Sequence, residues 1–216
     1  MKNVKFPEQM SEELAELTGI HFGDGSLYLD NKYNYNLTYS CNLAEDAEFI
    51  EYVNYLFNKL FDIRLHILIQ KRRNCIALRI RSKNLFFFFN QVLKIPIGRK
   101  TNLSIPYWIK SDKIFLAAFL RGLFDTDGCI TIQKFSKYQY ILVKISTKHH
   151  DFAKQVKDSL AILDIPSFVT KKDTSVNNKI FVGYDVVVRN KNIAKFFEVV
   201  GSKNPRNLRK YKDMGT

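Results

Sequence analysis

The sequence predicts an α+β protein built from two pseudo-symmetric αββαββα halves, and three observations carry that prediction. The segments Leu17–Gly25 and Leu120–Gly128 match in pattern at an offset of 103 residues, each an apolar helix running into Asp-Gly. The same offset carries Gly98-Arg-Lys100 onto the stretch ending Ser202-Lys203. Between these landmarks the two halves show the same order of helical and two-residue periodicities.

Each half reads as helix, hairpin, helix, hairpin, helix. In the first half the alternating segments are 26–30 with 33–41 and 64–71 with 75–81, and the later helices lie near 45–61 and 84–93. In the second half the segments are 129–135 with 138–147 and 167–172 with 179–189, with helices near 150–163 and 191–200. The stretch 94–112 holds Pro96, Gly98 and Pro106 without sustained periodicity and reads as the connection. It divides the chain into residues 1–110 and 111–216.

Composition narrows the function. Nearly half of the 216 residues are hydrophobic, enough to fill real cores, so a disordered tail is excluded. The formal charge of +13 suggests a polyanionic partner. Both halves share it, with fifteen Lys and Arg against eleven Asp and Glu in 1–110 and nineteen against ten in 111–216. Cys41, Cys75 and Cys129 lack the paired spacing of a zinc site and read as reduced, buried thiols. His149-His150 has no further Cys or His at useful spacing, which argues against a zinc nuclease. No window approaches 18 consecutive apolar residues, and no apolar stretch follows the first charges, so neither a membrane span nor a signal peptide is expected. The expected setting is reducing and intracellular, the cytoplasm or an organellar matrix.

Alternation splits each strand into two faces. Tyr33, Tyr35, Leu37 and Tyr39 fall on one side and Asn34, Asn36, Thr38 and Ser40 on the other; likewise Ile76, Leu78 and Ile80 oppose Ala77, Arg79 and Arg81. Asn pairs with adenine edges and Arg with guanine in a major groove wide enough for a β-ribbon, so the polar faces are candidate base readers. Lys144, Lys148 and Arg189 are the corresponding basic candidates in the second half.

The two matched segments resemble the signature of the LAGLIDADG homing endonucleases, in which a helix ends with a small residue, an acid and a glycine. The acids stand at Asp24 and Asp127, preceded by Gly23 and Thr126. The resemblance spans essentially the whole chain, in the single-chain, two-motif form. It implies a curved antiparallel sheet in each half with helices on one face, the halves joined through the two signature helices. Gly19 and Gly122, each costing roughly 1 kcal/mol within a helix, would let those helices approach closely.

Asp24 and Asp127 are then the candidate catalytic and metal-binding acids, with the carbonyls of Gly23 and Thr126 as further oxygen ligands. Hard oxygen donors suit Mg²⁺, with Mn²⁺ as a substitute. Lys100 and Lys203, equivalent under the repeat, are candidates for contacting the scissile phosphates or the water around them. The sequence departs from the signature at Phe22, where the second copy keeps Asp125, at His21, and at Thr18. A packed role is expected for His21.

The resemblance implies a monomer that binds double-stranded DNA and cuts both strands of a long asymmetric site, intron-encoded in its genetic setting. A non-cleaving protein of the same fold, an RNA maturase or a transcription regulator, is the alternative; the retained acids count against it. An intein origin would need a terminal His-Asn, whereas this chain ends Lys212-Asp-Met-Gly-Thr. A basic packaging protein leaves the duplicated acids unexplained.

Overall fold

The computed structural model of the chain describes residues 4–135, 138–176 and 179–214. Met1–Asn3 and the last two residues, on which the readings of the two termini partly rest, lie outside the described residues. The first half runs α1 (Glu12–Gly23), β1 (Gly25–Leu29), β2 (Tyr35–Asn42), α2 (Leu43–Phe61), β3 (His66–Gln70), β4 (Cys75–Arg81) and α3 (Lys83–Phe87). The second runs α5 (Lys113–Asp127), β5 (Gly128–Phe135), β6 (Tyr138–Thr147), α6 (His150–Ile162), β7 (Phe168–Val176), β8 (Lys179–Arg189) and α7 (Asn192–Val199). The sheets are antiparallel with the same order, β1-β2-β4-β3 and β5-β6-β8-β7.

Three features depart from the sequence reading. The last helix of the first half breaks after five residues into a wider π turn, Phe88–Val92. The connection carries a short helix, α4 (Tyr107–Lys110). A further helix, α8 (Pro205–Asp213), follows α7 and reaches back to the first half. Its start was legible: Asn204 accepts from the Arg206 amide as N-cap, and Pro205 fills the first helical position.

The central pair, α1 and α5, forms because both helices are apolar nearly all round and well started. Ser11 accepts from the Leu14 amide, and Asp112 accepts from the Ile114 and Phe115 amides. Apolar over most of their circumference, with residues 14–22 and 116–120 buried, they pack between the halves. A methyl group built on Gly19 would stand 2.1 Å from the carbonyl oxygen of Phe119, and one on Gly122 would stand 2.2 Å from that of Glu16. The two glycines therefore sit where backbone meets backbone. Near the middle of the pair, beside Gly122, Arg121 on α5 donates to Glu16 on α1 through Nε at 3.0 Å and Nη2 at 2.8 Å, and Tyr52 donates to the same carboxylate.

Within β2 and β4 the faces follow the alternation apart from Asn36 and Ala77, which are buried on the side read as polar. Leu37, Tyr39, Ile76 and Leu78 are buried under the helices. Tyr33, assigned to the same side, lies outside the strand at φ 57° and is 78% exposed, because the chain reverses there before β2 begins. Of the three free cysteines Cys41 is buried, while Cys75 and Cys129 are only half-buried.

Candidate active site and nucleic-acid interface

Both signature acids stand where a helix gives way to a strand. Asp24 is the C-cap of α1, its amide bonded to the Ile20 carbonyl, and Asp127 is the last residue of α5. The helices converge here: a methyl on Gly23 would lie 2.0 Å from the Thr126 hydroxyl oxygen and 3.4 Å from the carboxyl carbon of Asp127. Negative helix ends and two carboxylates thus face one another.

The electrostatics follow from that crowding. Burial raises the Asp24 carboxyl, partly offset by the Cys41 thiol, which donates to its Oδ2 at 3.5 Å. Asp127 opens to solvent on one side, yet the protein packed around it and the charge of Asp24 push its carboxyl up to about 7. Two raised carboxyls at the negative ends of two helices are relieved by a cation. Their oxygen donors fit a hard divalent ion.

Lys100 supplies one such charge. Its Nζ donates to the carbonyls of His21 at 2.8 Å, Phe22 at 2.9 Å and Gly23 at 2.6 Å, so all three ammonium protons close the end of α1. Burial brings its pKa down to about 8, against the pull of Asp127 and Asp24. The Gly23 carbonyl, a candidate metal ligand from sequence, is therefore held by Lys100. The second half solves the same problem differently. Asn204 donates to the Asp125 carbonyl at 2.9 Å, and Thr126 turns its hydroxyl back onto the carbonyls of Gly122 and Leu123. The side chain of Lys203 is exposed, and its tie to α5 is a backbone amide donating to Asp125 at 2.7 Å.

A cleft of about 790 Å³ opens from Asp127 over the second sheet, lined among others by Lys100, Lys148, Lys172, Ser146 and Asp185. Lys144 approaches Asp185 at 3.8 Å, and Arg189 lies over the Phe168 ring at 4.3 Å. In the first half Thr38 and Ser40 share the open face with Arg79 and Arg81, through the register Thr38↔Arg79 and Asn36↔Arg81. Asn34 is tied to Asp30 by its backbone and its amide. Asn36 corrects the sequence reading: it is on the expected face but 0% exposed, its amide wholly engaged by neighbours.

His21 is packed, as expected: its Nδ1 meets the Tyr39 hydroxyl at 3.0 Å, and burial holds the ring well below its usual pKa. Residues that sequence reasoning passed over include Cys41, beside Asp24, and Asp46, which accepts from Asn204 at 2.9 Å and pairs with Arg206 at 3.2 Å. Asp46 offered no local signal, since its partners lie some 160 residues away in α8 and its cap.

Two family models match the chain: residues 115–201 fit the LAGLIDADG-like domain, and residues 14–90 fit the WhiA LAGLIDADG-like domain. A DNA polymerase of Methanocaldococcus jannaschii is 25% identical over 183 residues, 77% of this chain. A glutamine–fructose-6-phosphate aminotransferase of the same organism is 27% identical over 128 residues, 59% of the chain. The chain spans only 10% and 11% of those two relatives. Among solved structures, the homing endonuclease I-DmoI in complex with DNA and Ca superposes with a TM-score of 0.60 at 18% identity, covering 94% of this chain and 97% of that one. I-GzeII in complex with its DNA target gives 0.57 at 15% identity, covering 96% and 88%. With two matching domain models, duplicated Asp-Gly helices packed at the centre and one sheet order in both halves, the chain belongs to the LAGLIDADG family in its single-chain, two-motif form.

Proposed function

We propose that this protein is a site-specific endonuclease that cuts both strands of a long asymmetric DNA site by metal-dependent hydrolysis, in the manner of an intron-homing enzyme. The observation that carries the reading is the meeting of Asp24 and Asp127 at the closing ends of two helices, both carboxyls raised. Structures of relatives in complex with DNA and Ca, or DNA and Mn, support it.

Asp24 and Asp127 would hold a divalent ion, Mg²⁺ or Mn²⁺, which when bound activates water and offsets charge building at phosphorus. The protein's own residues prepare the place. The Gly19 and Gly122 contact fixes how closely the two carboxylates stand. Lys100 neutralises the end of α1 through the carbonyls of His21, Phe22 and Gly23. Lys148 and Lys172 line the cleft beside Asp127, where they meet phosphate oxygens as point charges. The chain acts as a monomer, its two halves standing in for two subunits.

The competing reading is a non-cleaving DNA-binding protein of the same fold, and one observation favours it: Lys100 and Cys41 already occupy donors on the Asp24 side. Cleavage of a DNA library with Mg²⁺, Mn²⁺, Ca²⁺ or EDTA separates the two. Double-strand cuts with Mg²⁺ or Mn²⁺, lost by at least about a thousandfold in Asp24→Asn and Asp127→Asn while DNA binding persists, are expected (about 4 kcal/mol or more of barrier). Tight binding with no cut in any metal would replace the proposal with the non-cleaving reading.

A further inference from the structure

Asn36 occupies an unusual position: an amide with no exposed surface on the open face of a sheet. Its Oδ1 accepts from Arg79 through Nε at 3.2 Å and Nη2 at 2.7 Å, and from Arg81 through Nε at 3.4 Å. Its Nδ2 donates to the Asn34 carbonyl at 2.7 Å and toward Asp30 at 3.4 Å. Both ends of the amide are spent, so Asn36 has nothing left with which to pair an adenine.

The two arginines are in the opposite condition. Arg79 uses the side edge of its guanidinium, Nε and Nη2, on Asn36, and Arg81 uses Nε alone. On Arg79 the Nη1 group and the second hydrogen of Nη2 remain, on Arg81 both Nη groups, and neither side chain pairs with a carboxylate among the described residues. The end-on fork they form matches the O6 and N7 acceptors of guanine in the major groove. Two residues apart on one strand, the pair is separated by roughly 6.6 Å, close to two base-pair steps of about 3.4 Å each. Beside them lies a shallow cleft of about 450 Å³ that Arg64 and His66 also line, so the surroundings favour an electron-rich partner.

We infer that Arg79 and Arg81 read two guanines about two base pairs apart in one half-site, and that Asn36 is a positioning residue that fixes their forks rather than a base reader. The inference rests on the DNA-binding reading above. Tying Arg79 by two hydrogen bonds and Arg81 by one long one before binding lowers the cost of freezing two long side chains.

The test is selection of binders from a randomised duplex library in Ca²⁺, followed by affinities of the selected site and of random DNA over a range of salt. The wild type is expected to select two guanines in one half-site. Arg79→Ala should relax one and Arg81→Ala the other, each losing about tenfold or more in preference over the mismatched base. Asn36→Ala should weaken both preferences while base selection in the other half-site persists, which also reports that the variant is folded. Four results overturn the inference: no paired guanines, guanines unaffected by the arginine variants, guanines unaffected by Asn36→Ala, or an arginine variant that weakens all sequences equally and lowers the salt slope by about 1, the mark of a phosphate contact. Absence of any DNA binding by the wild type would bring down the functional reading itself, and this inference with it.

Discussion

At the scale of single residues, the second half keeps an acid where the first has Phe22, and the structure says what each does. Phe22 packs edge-on against Phe119 at 5.3 Å between ring centroids. Asp125 is 1% exposed and accepts from the Ser202 hydroxyl and the Lys203 amide. Burial pushes its carboxyl up to about 7 despite those donors. An Asp in the unfolded chain titrates near about 3.9. Between those values the folded state keeps a proton that the unfolded state has lost, so this contribution to stability is full below about pH 4 and gone once pH rises through about 7. Asp125→Asn, which cannot ionise, is expected to gain on the wild type by on the order of a few kcal/mol between pH 5 and pH 8. Urea midpoints of both proteins at the two pH values measure it, and a difference that does not change with pH would mean that Asp125 is ionised throughout. The opposing titration of His21 is common to both proteins and cancels.

At the scale of elements, much was legible from the sequence because the signals are local. Two-residue alternation gave the strands, and Asp-Gly after an apolar run marked the ends of α1 and α5. What was not legible depends on partners distant in sequence. Nothing near Asn36 announces that Arg79 and Arg81 fold over it, and nothing near Lys100 announces three carbonyls nearly eighty residues earlier. The glycines of the central pair are a case where local cost did reveal a distant contact. A side chain on either would meet backbone oxygen, which cannot swing aside as a side-chain tip can. Gly19→Ala and Gly122→Ala are each expected to cost about 2–3 kcal/mol or more, against the gain of up to about 1 kcal/mol that alanine brings to an unobstructed helix. Thermal or urea unfolding checks this. A variant as stable as the wild type would show that α1 and α5 stand farther apart than the structure has them.

At the scale of the whole molecule, one architecture is wired twice with different chemistry. The open face of the first sheet carries Arg79 and Arg81 splinted by Asn36; that of the second carries Lys144 beside Asp185 and Arg189 over Phe168. The helix ends at the centre differ too, an ammonium closing one and side-chain amides the other. Yet α8 crosses from the second half to α2 of the first, where Arg206 meets Glu45 and Asp46, so the halves are held as one body and, under the proposed function, would engage DNA together. If the proposed function holds, neither half can serve the other's half-site. Two symmetric duplexes, each made by repeating one half-site of the selected target, are then expected to bind at least about a hundredfold more weakly than the natural asymmetric site. Only two mismatched base pairs at about 1–3 kcal/mol each are needed for that loss. Measured at one fixed salt, equal affinity for all three duplexes would show that the differences between the two faces carry no sequence information and that phosphate contacts alone account for binding.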